Sequence, residues 1–132
     1  MRIEKFEQLN SWTKAQEMSI CIYQNFNQIR DFSFRDQICR ASVSVSNNIA
    51  EGFDRGTNKE FIRFLFIARG SNSEVKSMLY LAKGLNYIEN TNFEKAMFLC
   101  EDAGRLINGF ISYLYKKENQ LSNEPTGQLT NE

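Results

Sequence analysis

Between Phe34 and Phe53 the sequence reads FRDQICRASVSVSNNIAEGF. Its middle, Ala41-Ser42-Val43-Ser44-Val45-Ser46, alternates apolar and polar residues with period two, as a half-buried strand does. The longer pattern points elsewhere. Phe34, Ile38, Ala41, Val45, Ile49 and Phe53 are spaced by four, three, four, four and four residues. That spacing lines one face of an α-helix, so the stretch is read as a helix over about 33–54. Gly52 and Gly56 lie near its end, where glycine commonly terminates helices.

The same period extends both ways. Upstream, Trp12, Ala15, Ile22, Tyr23, Phe26 and Ile29 mark a helix over about 10–29, with Asn10 or Ser11 as its cap. Downstream, Thr57 or Asn58 is the expected cap of a third helix. Its apolar face runs Phe61, Phe64, Leu65, Ala68, Val75, Met78, Leu79, Ala82 and Leu85, and Asn86 or Asn90 closes it. Gly70 interrupts it, either weakening the helix or admitting another backbone. A fourth helix starts near Thr91 or Asn92 and carries Phe93, Met97, Cys100, Ala103, Ile107, Phe110 and Leu114 before ending at Lys116 and Lys117. From residue 119 the chain is polar and holds the one proline, so 119–132 is expected to be a disordered tail. Short connections between long helices make neighbours antiparallel. The expected fold is therefore all-α, an up-down-up-down antiparallel four-helix bundle over residues 1–118.

Composition excludes several chemistries. The chain has 132 residues, 42% hydrophobic and 24% charged, enough for one globular domain. Sixteen basic residues balance sixteen acidic ones, so no net charge draws it to nucleic acid or anionic lipid. There is no histidine, which removes the commonest catalytic base and a common metal ligand. Cys21, Cys39 and Cys100 form no CxxC pair. They read as buried thiols of a protein in a reducing cytoplasm. No run of 18 apolar residues suggests a membrane span, and the N-terminal stretch lacks the apolar segment of a signal peptide. Glu101 and Asp102 are adjacent and diverge by about 100° on a helix. No phosphate loop and no nucleophile–base spacing is present. We therefore expect no enzymatic activity, catalytic residue, metal, cofactor or small-molecule substrate.

Two constellations remain. Ser44, Asn48, Glu51 and Arg55 share a stripe beside the apolar face of helix two. With Arg40, Arg63 and Glu74 they suggest a polar network across helices two and three: Arg40, Asn48, Glu51, Arg63 and Glu74. A ligand pocket or a subunit interface are the other readings of this set. The second constellation is basic. Helix three carries Lys59, Arg63, Arg69, Lys76 and Lys83 against Glu60 and Glu74, an excess of +3, while the chain from residue 85 onward sums to −3. Arg55, Lys59, Arg63 and Arg69 are the candidate contacts to nucleic acid phosphates. Ile62, Phe66 and Phe98 fall off the main apolar stripes and suggest contacts between copies.

The stretch also resembles a known family. Gln37, Ile38, Arg40, Ala41, Ser44, Asn48, Ile49, Ala50, Glu51 and Gly52 fit the pattern Q-I-R-R-A-x-x-S-I-P-x-N-I-A-E-G. Lys59, Glu60, Phe61, Arg63, Phe64 and Leu65 fit K-E-F-x-R-F-L. Gly70, Ser71 and Glu74 fit G-S-x-x-E, and Trp12, Lys14 and Ala15 fit a W-x-K-A start. These are patterns of the 23S rRNA intervening sequence protein family, and the resemblance covers all but the tail. Ser46 stands where the family has proline, and Cys39 replaces the first arginine of its pair. The resemblance implies a four-helix bundle, a homo-oligomer with five subunits, and a binding or scaffolding role. Through a related branch, the accessory proteins of diversity-generating retroelements, it also implies contact with RNA or DNA and a reverse transcriptase.

Overall fold

The computed structural model describes residues 2–123, with side chains to Leu121. After a short 3-10 turn at Phe6–Gln8 come four helices: α1 (Asn10–Phe26), α2 (Phe32–Asp54), α3 (Asn58–Gly84) and α4 (Asn90–Asn123). No strand occurs among the described residues. The alternating Ser-Val run lies inside α2, which is unbroken from Phe32 to Asp54. Serines are tolerated there because each hydroxyl finds an acceptor or donor. Ser42 Oγ donates to the Cys39 carbonyl at 2.8 Å, and Ser46 Oγ accepts from Gln16 Nε2 at 2.9 Å.

α1 packs on α2 and α4, and α3 packs on α2 and α4. All four apolar stripes thus meet in one core. Phe26, Met18, Ile22, Ile38, Ile49, Leu65, Leu79 and Ile107 are each less than 2% exposed. Burying such a side chain contributes about 1.5–3 kcal/mol, which makes this core the main stabilising element. No helix among the described residues is long and apolar enough to cross a membrane.

Helix ends follow local chemistry. Thr57 caps α3 as expected, its Oγ1 accepting from the Glu60 N–H at 3.2 Å. Asp31 caps α2 through the Phe34 N–H at 3.1 Å, and its second oxygen accepts from the Tyr87 hydroxyl at 2.9 Å. That bond ties the start of α2 to the α3–α4 connection. α3 closes at Asn86, whose φ is 59°, with the Tyr87 N–H returning to the Ala82 carbonyl at 2.9 Å. This is a Schellman closure with asparagine in the left-handed position.

Three expectations need correction. The first helix ends at Phe26, three residues short of Ile29, because the backbone turns there and the Ile29 N–H bonds to Phe26. Its cap is Leu9, which makes no side-chain cap bond; Asn10 and Ser11 are already helical. α4 runs to Asn123, so the first five residues of the expected tail are helix, and residues 124–132 lie outside the described residues.

The tightest contact is between α2 and α3. A Cβ on Gly52 would lie 2.5 Å from Phe64 Cβ and 3.0 Å from Phe61 Cδ1. Only glycine lets the two backbones come this close. Gly70 meets nothing within 4 Å, so no other backbone of this chain approaches it closely, and α3 runs through it unbroken. Gly52→Ala should destabilise the protein. Overpacking costs about 1–3 kcal/mol, and the gain in helix propensity returns only about 0.5–1. Urea denaturation followed by circular dichroism measures it; a midpoint equal to wild type would contradict the close approach.

Candidate functional site

The seam between α2 and α3 is polar above Gly52. Ser44 Oγ and Ser71 Oγ share a hydrogen bond of 2.8 Å across it, and Asn48 Nδ2 donates to the Ser44 carbonyl at 2.8 Å and to Ser44 Oγ at 3.0 Å. Farther along, Gln37 Nε2 donates to Glu74 Oε2 at 3.3 Å. These bonds border a cleft of about 580 Å³ that also takes in Asp36 and Arg40.

The expected network of Arg40, Asn48, Glu51, Arg63 and Glu74 does not form. No two of the five bond to one another. Glu51 is exposed and pairs with Arg55 one turn away at 2.9 Å, and Arg63 pairs with Glu60 at 3.2 Å. Arg40 is exposed, with no ion pair among the described residues. The physical reason is angular. Long charged side chains at the margin of a helix seam reach water more cheaply than they reach each other across it. Short hydroxyls bridge the seam instead.

The candidate phosphate contacts are also partly engaged. The Arg55 and Arg63 guanidinium groups sit 4.9 and 4.7 Å from the centre of the same Phe64 ring, one contact each. Each also holds an acid, and the hydrogen bond from Arg63 keeps the Glu60 carboxyl below its usual range and lifts Arg63. Arg69 lies over Phe66 at 4.5 Å and donates to Asn108 Oδ1 at 3.2 Å. Lys59 is exposed and unpaired among the described residues. The excess of +3 stays on α3, yet α4 itself is neutral, because its four cations meet four acids. Glu89 precedes the helix, and Glu124 and Glu132 lie outside the described residues.

A second polar contact was missed in the sequence. Asn72 is 7% exposed and donates to the Cys100 carbonyl at 2.9 Å, and the Cys100 thiol points back to the Asn72 carbonyl at 3.4 Å. The signal was present: Asn72 fills the apolar position between Ala68 and Val75. Burial pushes the Cys100 thiol up to about 12, and burial raises Cys21 and Cys39 as well. All three are free and buried, and at neutral pH they are thiols, which are poor nucleophiles. Among the outlying aromatic and aliphatic residues, Ile62 is buried in the core and Phe66 packs edge-on against Tyr115 with centroids 6.2 Å apart. Both therefore have partners inside the chain, whereas Phe98 is 60% exposed.

Asn72→Ala should cost about 1–2 kcal/mol, because it removes a buried hydrogen bond. Glu51→Gln should change stability by less than about 0.5 kcal/mol, as expected for an exposed pair one turn apart. Thermal melts of the two variants side by side check this; a larger loss at Glu51 would reinstate a network there.

The comparisons agree on kinship. The family model described as 23S rRNA-intervening sequence protein matches residues 7–109. No curated protein matches the sequence. Among solved structures, a protein of unknown function from the S23 ribosomal protein family of Bacteroides thetaiotaomicron VPI-5482 is similar, with a TM-score of 0.72 at 25% identity. The alignment covers 76% of this chain and 97% of that one. The matched span includes the whole of α1, α2 and α3 and the Gly52 contact. The chain belongs to the 23S rRNA-intervening sequence protein family.

Proposed function

We propose that the chain is a non-enzymatic binding or scaffolding protein that works as a homo-oligomer of up-down-up-down antiparallel bundles in the cytoplasm. Contact registers support the helix directions. Gln16 meets Ser46 while Ser19 meets Ser42, and Gln37 meets Glu74 while Ser44 meets Ser71. Arg69 meets Asn108 while Asn72 meets Cys100. In each pair of helices one number rises as the other falls. Three reduced, buried cysteines suit a reducing compartment.

The observation that carries the oligomer is the apolar surface left outside. Phe98 is 60% exposed, Ile20 56% and Tyr23 45%. Ile20 and Tyr23 stand one turn apart on α1 and border a groove with Val43 of α2. Two large side chains side by side at a groove suit a partner surface better than isolated exposure does. A ring of five copies is the stoichiometry that the resemblance implies.

A second reading is a nucleic-acid-binding accessory protein, with RNA or DNA and a reverse transcriptase as partners. The stripe Arg69, Lys76, Tyr80 and Lys83 favours it. These four follow one face of α3 over about 21 Å. Tyr80 is 57% exposed and available for base stacking, and Lys83 sits 4.6 Å from the Phe93 ring centre.

Light scattering should give a solution mass that is a multiple of 15.4 kDa. Ile20→Glu together with Phe98→Glu should lower it toward the single chain. A wild-type mass of one chain would refute the oligomer. For the second reading, affinity for single-stranded RNA should fall with salt, and Arg69→Ala with Lys76→Ala should flatten that salt dependence by about two phosphate contacts.

A further inference from the structure

Phe98 stands on the outer side of α4. It is two residues from buried Cys100, and so about 200° round the helix from the core. Within one turn on either side lie Glu94, Lys95, Glu101 and Asp102. A large exposed ring in the middle of a charged face buries little against its own chain.

The complementary feature lies between α1 and α2. A groove of about 360 Å³ follows their outer seam, with Ile20 and Tyr23 on one wall and Val43 and Asn47 on the other. None of its nine lining residues is charged. Depletion of charge marks the centre of protein interfaces, where a charged group would lose its water. Past Tyr23 and Val43 the groove continues to Arg35, Asp36 and Arg40. Arg35 pairs with Asp36 at 3.0 Å, whereas Arg40 is exposed with no ion pair among the described residues. α1 lies between α2 and α4, which do not touch, so Phe98 cannot enter the groove of its own copy.

The two features share a level along the bundle. Lys14 meets Asp102 at 3.6 Å, Gln16 Nε2 donates to Ser46 Oγ at 2.9 Å, and Ser19 Oγ donates to the Ser42 carbonyl at 2.9 Å. With neighbours antiparallel, as read above, these contacts put Phe98 level with Met18 of α1 and with Val43 and Ser44 of α2. That is the middle of the groove. One turn along, Glu94 is level with Ile22, and Arg40 stands within about one residue, ~1.5 Å, of the same level. Glu94, like Arg40, has no ion pair among the described residues.

We propose that Phe98 of one copy enters the α1–α2 groove of the next, where Glu94 of the first meets Arg40 of the second. The contact rests on the oligomeric reading above. It is heterologous, because a knob on one face meets a groove on another, and each copy can therefore engage two neighbours. Knob and groove share a level, so successive copies stand side by side without rise. Such an assembly closes into a ring instead of growing as a filament.

Analytical ultracentrifugation of the full chain tests this with two single variants. Ile20→Glu spoils the groove and Phe98→Glu removes the knob. Both positions are exposed, so circular dichroism melts should match wild type. Each variant alone should sediment as a single chain, its association weakened about tenfold or more. Mixed in equal amounts, they should recover a species of two chains and none larger. The intact Phe98 of one then fits the intact groove of the other, while the reverse contact is broken at both ends. Arg40→Glu should weaken association about two- to fivefold, and Glu94→Arg added to the same chain should restore it. A wild-type oligomer that either single variant leaves intact overturns the proposal, and so does a mixture that stays at one chain or grows beyond two. Those results leave the oligomer itself standing, whereas a wild-type mass of one chain removes both.

Discussion

Everything on the α2–α3 side of this protein depends on how closely those helices approach at Gly52. With Phe64 Cβ only 2.5 Å from where a Cβ would stand, the contact admits no side chain at all. That contact sets the spacing of the seam above it. At that spacing two serine hydroxyls span the gap between Ser44 and Ser71 directly. Longer polar side chains are then unnecessary inside the seam, and they turn outward. The positions of Glu51, Arg55 and Arg63 on the surface follow from this one approach.

α2 uses its alternating serines in two directions. The Ser42 carbonyl accepts from Ser19 of α1, Ser44 faces Ser71 of α3, and Ser46 accepts from Gln16 of α1. A strand would also have alternated, but it would have sent these hydroxyls to one common face. On a helix the two-residue period rotates them by about 200° per step, so they serve both neighbours. Ser46 also keeps an N–H where the resembled pattern has proline, and α2 runs through without a break. The serine run thus reads as a means of fixing helix register with short hydrogen bonds.

Charge is organised locally. The Arg55–Glu51, Arg63–Glu60 and Lys14–Glu17 pairs all lie within one turn of a single helix. Such exposed pairs contribute little stability each, but they cancel charge where a sum along the chain suggests an excess. On the outer stripe of α3, Lys76 pairs with Glu101 of α4 at 3.3 Å, whereas Arg69 and Lys83 hold no acid among the described residues. The balance of sixteen against sixteen therefore conceals a surface that is uneven, with α3 basic and α1 and α4 neutral.

The sequence by itself determined the four helices, most of the core and the family. Apolar spacing depends only on the 3.6-residue period, and that period survives any arrangement of neighbours. Buried Asn72 was passed over, although it stands between Ala68 and Val75 on the apolar stripe of α3, and its partner has no local signal. Tertiary structure alone decided which polar groups meet. The partner of Ser44 is 27 residues away and that of Asn72 is 28. The end of α1 was likewise open, because Ile29 continues the apolar pattern yet packs from a turn. The orphan hydroxyl of Ser11 had no signature in the chain. A serine near a helix start reads as a cap, and only the start of α1 two residues earlier, with Leu9 as its cap, leaves it inside the helix, buried without a partner.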